Sequence, residues 1–119
     1  MKHNDLENRL IKFSVGIINV AGGLSQNTAG KVLASQIIRP GTSTALNYGE
    51  AQFAESRKDF LHKMKIILKE LNETRVNLEL IKYSKLFKTE KLVNNLINEN
   101  RELISIFVSS VKTTKRNVT

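Results

Sequence analysis

The chain has 119 residues, no cysteine, 25% charged side chains and a formal net charge of +8. That length suits one domain with a real core, and the missing thiols exclude disulfides and cysteine-ligated metals. The longest nearly apolar stretch, Val15 to Leu24, is interrupted by Asn19 and falls well short of the ~20 residues a membrane span needs, so the expectation is a soluble, cytoplasmic chain.

The first predicted element is a helix over about 5–22. Leu6, Leu10, Phe13, Ile17, Val20 and Leu24 alternate steps of four and three, which keeps one apolar seam on a helix. Asn4 with Glu7 three residues on resembles a capping box, and Gly22-Gly23 provides the stop. A second helix is expected over 27–55. It carries Val32, Leu33, Ile37, Ala45, Leu46, Ala51 and Ala54, many of them small. Pro40, the only proline, lies inside it. The missing amide and the ring predict a bend just before Arg39-Pro40, with Thr42 or Ser43 capping a restarted helix.

The third helix is expected over 57–83, capped by Ser56 with Asp59 and lined by Phe60, Met64, Ile67, Leu71, Thr74, Leu78 and Ile81. Lys82, Lys85 and Lys88 read as its stop, since cations favour the negative end of a helix dipole. The fourth, over 90–113 and capped by Thr89, carries a wider stripe of Val93, Leu96, Ile97, Leu103, Ile104, Phe107, Val108 and Val111, with Asn100 its one polar member. No stretch alternates with the period of a strand. Short connections between four such helices predict an all-α, antiparallel up-down-up-down four-helix bundle with a proline-kinked second helix.

The sequence offers no chemistry of catalysis. His3 and His62 are isolated from each other and from any clustered ligand, so no metal site is expected. His62 has Lys58 and Lys65 within a turn and no obvious carboxylate orienter that would make it a base. No phosphate-cradling glycine motif occurs, and Glu70, Glu73 and Lys69 have the spacing of surface pairs. No enzymatic activity and no cofactor are expected.

Charge is where the chain departs from neutrality. Residues 1–56 carry five basic and four acidic side chains, whereas residues 57–119 carry fourteen and seven. Such asymmetry favours a polyanionic partner. Arg57, Lys58, Lys65, Lys69 and Lys82 fall mostly off the third apolar seam, and Lys112, Lys115 and Arg116 add a charged C-terminal end. These are the candidate phosphate contacts, for RNA or DNA, of a kind that neutralises without reading sequence. The aromatic residues Phe13, Phe60 and Phe107 lie on core stripes, which argues against base stacking as the main mode, with Tyr83 and Phe87, expected in the loop, as the exceptions.

The segments "RPGTSTALNYGEA", "SRKDFLHK" and "KELNET" resemble the signature of the small four-helix bundle proteins encoded in intervening sequences of bacterial 23S rRNA genes, a family related to the accessory variability determinant of diversity-generating retroelements. The matching positions include Arg39, Gly41, Thr42, Ser43, Asn47, Tyr48, Glu50, Ser56, Asp59, Phe60, Lys63, Lys69, Glu70, Glu73 and Thr74. The chain departs at Pro40, where the family more often has serine, and at Arg75-Val76-Asn77, where an aromatic pair is common. The resemblance implies a homopentamer around a central pore, nucleic-acid binding and no catalysis.

Within that frame Arg39, Thr42, Ser43, Asn47, Tyr48 and Glu50 are expected to form a structural polar motif, a buried network holding the bend or a subunit contact. Ile11, Ile18, Leu61, Leu68, Leu80 and Ile97 flank the seams and are expected at interfaces between copies. The functional expectation is an oligomeric nucleic-acid-binding protein. Its alternative is a scaffold that docks on a polymerase or ribosomal component, with incidental affinity for nucleic acid.

Overall fold

A seam repeating every three and four residues has to be buried along its length, and four of them are buried here against one another. The computed structural model describes residues 3–118, with side chains from Asp5 onward. It contains α1 (His3–Gly22), α2 (Thr28–Ala51), α3 (Arg57–Ser84) and α4 (Glu90–Val118), and no strand among the described residues. Each helix packs on its neighbours in the chain and α1 closes on α4, while the backbones of the diagonal pairs stay apart. Cross-helix partners run in opposite sequence directions. Arg39 of α2 meets Glu70 and Glu73 of α3 while Glu50 meets Lys63. Arg57 reaches Asn117 while Asn100 reaches Leu71. The result is an antiparallel bundle of 49 × 22 × 20 Å.

The first, third and fourth seams point inward as expected. Leu10, Ile17, Ile67, Leu71, Leu78, Ile81, Leu103 and Phe107 are completely buried. Each such side chain contributes about 1.5–3 kcal/mol relative to exposure. Asn100, fully buried on the α4 stripe, donates from Nδ2 to the Leu71 carbonyl at 3.1 Å and so ties α4 to α3 at one level.

The second helix differs from expectation in three respects. Its inward line is Ile37, Gly41, Thr44, Tyr48 and Ala51, while Val32 and Leu46 face outward, Leu46 at 67% exposure. Small residues win this face because α1 comes very close: a Cβ built on Gly41 would sit 2.5 Å from Cγ2 of Ile17. Secondly, the helix continues through Pro40 without restarting. Thr42 and Ser43 cap no amides. Their hydroxyls donate back to the carbonyls of Ile38 (2.7 Å) and Pro40 (3.3 Å) within the same helix. Thirdly, α2 ends at Ala51 and not near 55. The chain needs residues 52–56 to reverse and to place Ser56 in extended geometry, where it accepts from the Asp59 amide at 3.1 Å as the cap of α3.

The remaining ends follow local chemistry. Asn27 caps α2 by accepting from the Gly30 amide at 2.8 Å. Lys85 closes α3 in the left-handed conformation, at φ 57°. Helix α4 runs to Val118, five residues past the expected 113. Lys115 and Arg116 suit its negative end, and Arg57 donates to the Asn117 carbonyl at 3.1 Å. Helix α1 begins at His3, and the cap expected of Asn4 lies outside the described side chains.

Candidate nucleic-acid interface

Residues eleven apart on a helix share a face, because eleven steps make almost three turns. Arg39 and Glu50 are such a pair, and both point across to α3. The Arg39 guanidinium donates from Nη1 to both carboxylate oxygens of Glu70 (3.0 and 2.9 Å) and from Nη2 to Glu73 (2.7 Å). The bond to Glu70, and next that to Glu73, pushes Arg39 still further above its ordinary range, so its charge is permanent. Glu50 accepts from Lys63 at 3.1 Å.

Tyr48 lies half a turn away and packs its ring edge-on against Phe107, centroids 5.9 Å apart. Asn47 donates to the Ser43 carbonyl at 2.9 Å. The polar motif is therefore not one buried network. Arg39, with its side chain 65% exposed, and Glu50, at 50%, clamp α2 to α3 from the surface. Thr42, Ser43 and Asn47 bond within their own helix, and Tyr48 belongs to the core.

Ion pairing distributes the charge. Arg9 holds Glu99 and Glu102, Arg39 holds Glu70 and Glu73, Lys63 holds Glu50, and Arg75 holds Glu79. Four cations thus engage six carboxylates, so these clusters are net negative. The remaining surface is more basic than the formal +8.

The candidate phosphate contacts fall into three places. Arg57 and Lys58, at the start of α3, lie at the same pole as Lys112, Lys115 and Arg116 at the end of α4. Lys65 and Lys69 are exposed midway along α3. Lys82 is half-buried at the opposite pole, with its ammonium 5.5 Å from the Tyr83 ring centroid.

Lys31, Lys85, Lys88 and Lys91, which the sequence did not mark as contacts, share the pole of Lys82. The turns at that pole are stitched together: the backbone amide and hydroxyl of Ser25 both donate to the Leu86 carbonyl at 3.0 Å. This brings the first turn of α2, the end of α3 and the start of α4 to one end of the bundle. The spacing of Lys82, Lys85 and Lys88 was the available signal, but it equally marks a helix stop.

Of the residues expected between copies, Ile11, Ile18 and Leu80 are exposed, Leu61 and Leu68 are half-buried, and Ile97 is in the core. Exposed apolar side chains form two further stripes: Ile11, Val15 and Ile18 on α1, and Val76, Leu80 and Tyr83 on α3. The second borders a shallow groove that Glu79 and Ser84 complete. Among the described residues no His, Cys, Asp or Glu cluster is arranged to hold a metal, and no helix is long and apolar enough to cross a membrane.

A family model described as 23S rRNA-intervening sequence protein matches residues 2–109. The chain belongs to that family. A solved structure from Bacteroides thetaiotaomicron VPI-5482, described as a protein of unknown function from the S23 ribosomal protein family, shares 35% identity and superposes with a TM-score of 0.84. The alignment covers 94% of this chain and 99% of that one. No curated protein matches.

In this member of the 23S rRNA-intervening sequence protein family, the segments that carry the resemblance build the α2–α3 clamp. The two departures are accommodated locally. Pro40 is buried within a continuous α2. Arg75-Val76-Asn77 lies on the outer part of α3, where Arg75 pairs with Glu79 at 2.8 Å, Val76 joins the exposed stripe and Asn77 donates to the Glu73 carbonyl at 3.0 Å.

Proposed function

We propose that this protein is a non-catalytic, oligomeric binder of RNA or DNA that contacts phosphates through its basic surface. The observation that carries the reading is the division of charge. Six of the eleven carboxylates are held by only four cations, while among the described residues Lys58, Lys65, Lys69, Lys82, Lys85, Lys88, Lys91, Lys112 and Lys115 form no salt bridge. Unpaired ammonium groups on a rigid bundle release counterions when they meet phosphates, giving affinity without sequence readout. The family's connection with rRNA genes supports the same reading.

Self-association makes weak contacts effective. Helices α1 and α3 occupy diagonal corners of the bundle, so their apolar stripes face away from each other. The α1 stripe of one copy fitted to the α3 groove of the next is a head-to-tail contact, which closes into a ring when its rotation allows. A homopentamer is the expected closure from the family resemblance, and it would carry about +40 on one particle.

Binding of a fluorescent structured RNA and a duplex DNA, followed by polarisation across a salt series, tests the function. The expected result is affinity that falls steeply and linearly on a log–log salt plot. Affinity indifferent to salt, or no binding at low salt, rejects it. Co-purifying proteins that survive nuclease treatment would instead favour the scaffold role.

A further inference from the structure

We propose that the cavity between the end of α3 and the start of α4 seats a phosphate group of a bound nucleic-acid strand, with Lys82, Lys85 and Lys88 as its ligands. This rests on the nucleic-acid-binding reading and adds the place where the strand is gripped. The cavity has a volume of about 180 Å³, is walled by Ile81 and Val93 from the core, and is lined by those three lysines and one carboxylate, Glu90. It is too small for a drug-sized ligand but has the volume of about six waters, enough for a hydrated phosphate. Apolar walls lower the local dielectric and strengthen attraction between an ammonium and an anion.

The fold explains only part of this lysine cluster. Lys82 and Lys85, at the C-terminus of α3, are where a helix dipole favours cations. Lys88, just before α4, and Lys91, in its first turn, sit at the positive end of a dipole, where a cation is disfavoured. Lys31 repeats the anomaly in the first turn of α2, which holds no acidic residue. Lys85 also occupies the one positive-φ position outside glycine among the described residues, which glycine or asparagine would fill more easily.

The opposite pole is compensated. Lys112, Lys115 and Arg116 lie at the favourable end of α4, and Asp5, Glu7, Glu50, Glu55 and Asp59 are at that end too. At the lysine pole the acids are Glu90 and Glu79, and Glu79 is already held by Arg75. Lys31, Lys88 and Lys91, which no helix dipole favours, join Lys82 and Lys85 at this one end, around a recess that holds a single carboxylate. An external phosphate supplies the missing counter-charge.

The test compares the full-length protein with two triple variants, Lys82→Gln/Lys85→Gln/Lys88→Gln and Lys58→Gln/Lys65→Gln/Lys69→Gln, together with Glu90→Gln. Folding of each is checked by far-ultraviolet circular dichroism, and each is titrated with the same labelled RNA across a salt series. The pole variant is expected to lower the salt slope by about 2 to 3 units, roughly one per lysine, while the α3-face variant changes it less. Glu90→Gln is expected to bind several-fold more tightly, since it removes the carboxylate from the recess. An unchanged slope in the pole variant, or unimproved affinity in Glu90→Gln, overturns the proposal. A wild-type protein with no salt-dependent binding at all overturns the underlying function instead, which keeps the two failures apart.

Discussion

Gly41 is placed against Ile17, a fully buried residue of the facing helix. The methyl of an alanine there would approach the Ile17 side chain at 2.5 Å, and neither helix can retreat without opening the core. Gly41→Ala is expected to destabilise the fold by about 1–3 kcal/mol, visible as a lower urea midpoint with an unchanged slope. Tyr48 makes the fold sensitive to alkali. Burial, and next the charge of Glu7, hold its hydroxyl above the usual 10.0. The folded state therefore keeps a proton that the unfolded chain releases. The stability from Tyr48 is intact below pH about 10 and declines as pH rises through and beyond that value. Thermal melts between pH 9 and 11.5 should show a steeper loss for the wild type than for Tyr48→Phe.

At the scale of the element, helix ends carry the testable content. Ser56 satisfies the Asp59 amide at the start of α3, and Ser56→Ala is expected to cost about 1 kcal/mol in chemical denaturation. Lys85 acts the other way. Its left-handed backbone is disfavoured for a side chain, so Lys85→Gly should stabilise the protein by about 1 kcal/mol. The same change should weaken nucleic-acid binding if the lysine grips phosphate, and a variant that melts higher while binding as before would separate the two roles.

The inward line of α2 escapes any pattern confined to one helix. Heptad-like rows of Leu, Ile and Phe announced α1, α3 and α4 plainly. Ile37, Gly41, Thr44, Tyr48 and Ala51 follow the same steps of four and three, but in residues of mixed polarity that no hydrophobic pattern marks. Their burial is set by how near α1 comes, which is a property of the pair of helices.

For the whole molecule, the consequential feature is the pair of diagonal apolar stripes. Sedimentation velocity at micromolar concentration is expected to find five chains of 13.4 kDa, about 67 kDa together. Leu80→Glu, which charges the α3 groove, should shift the protein to a single chain with its helical content retained. A wild-type protein that sediments as one chain would remove the assembly and with it the multiplied charge.

The order of the four helices, their approximate spans and the basic excess of the second half were determined by the linear chain alone. Periodic burial, caps and charge balance are local or additive properties, and they survive without knowledge of neighbours. What the tertiary structure decided is which charges are free. Arg39 and Lys69 look equally available as letters, yet one is committed to Glu70 and Glu73 across a helix boundary and the other pairs with nothing. Lys31 and Lys91 are sixty residues apart along the chain and share one pole only because antiparallel packing brings their turns together. Electrostatic partnership depends on distance through space, and the fold alone sets that distance.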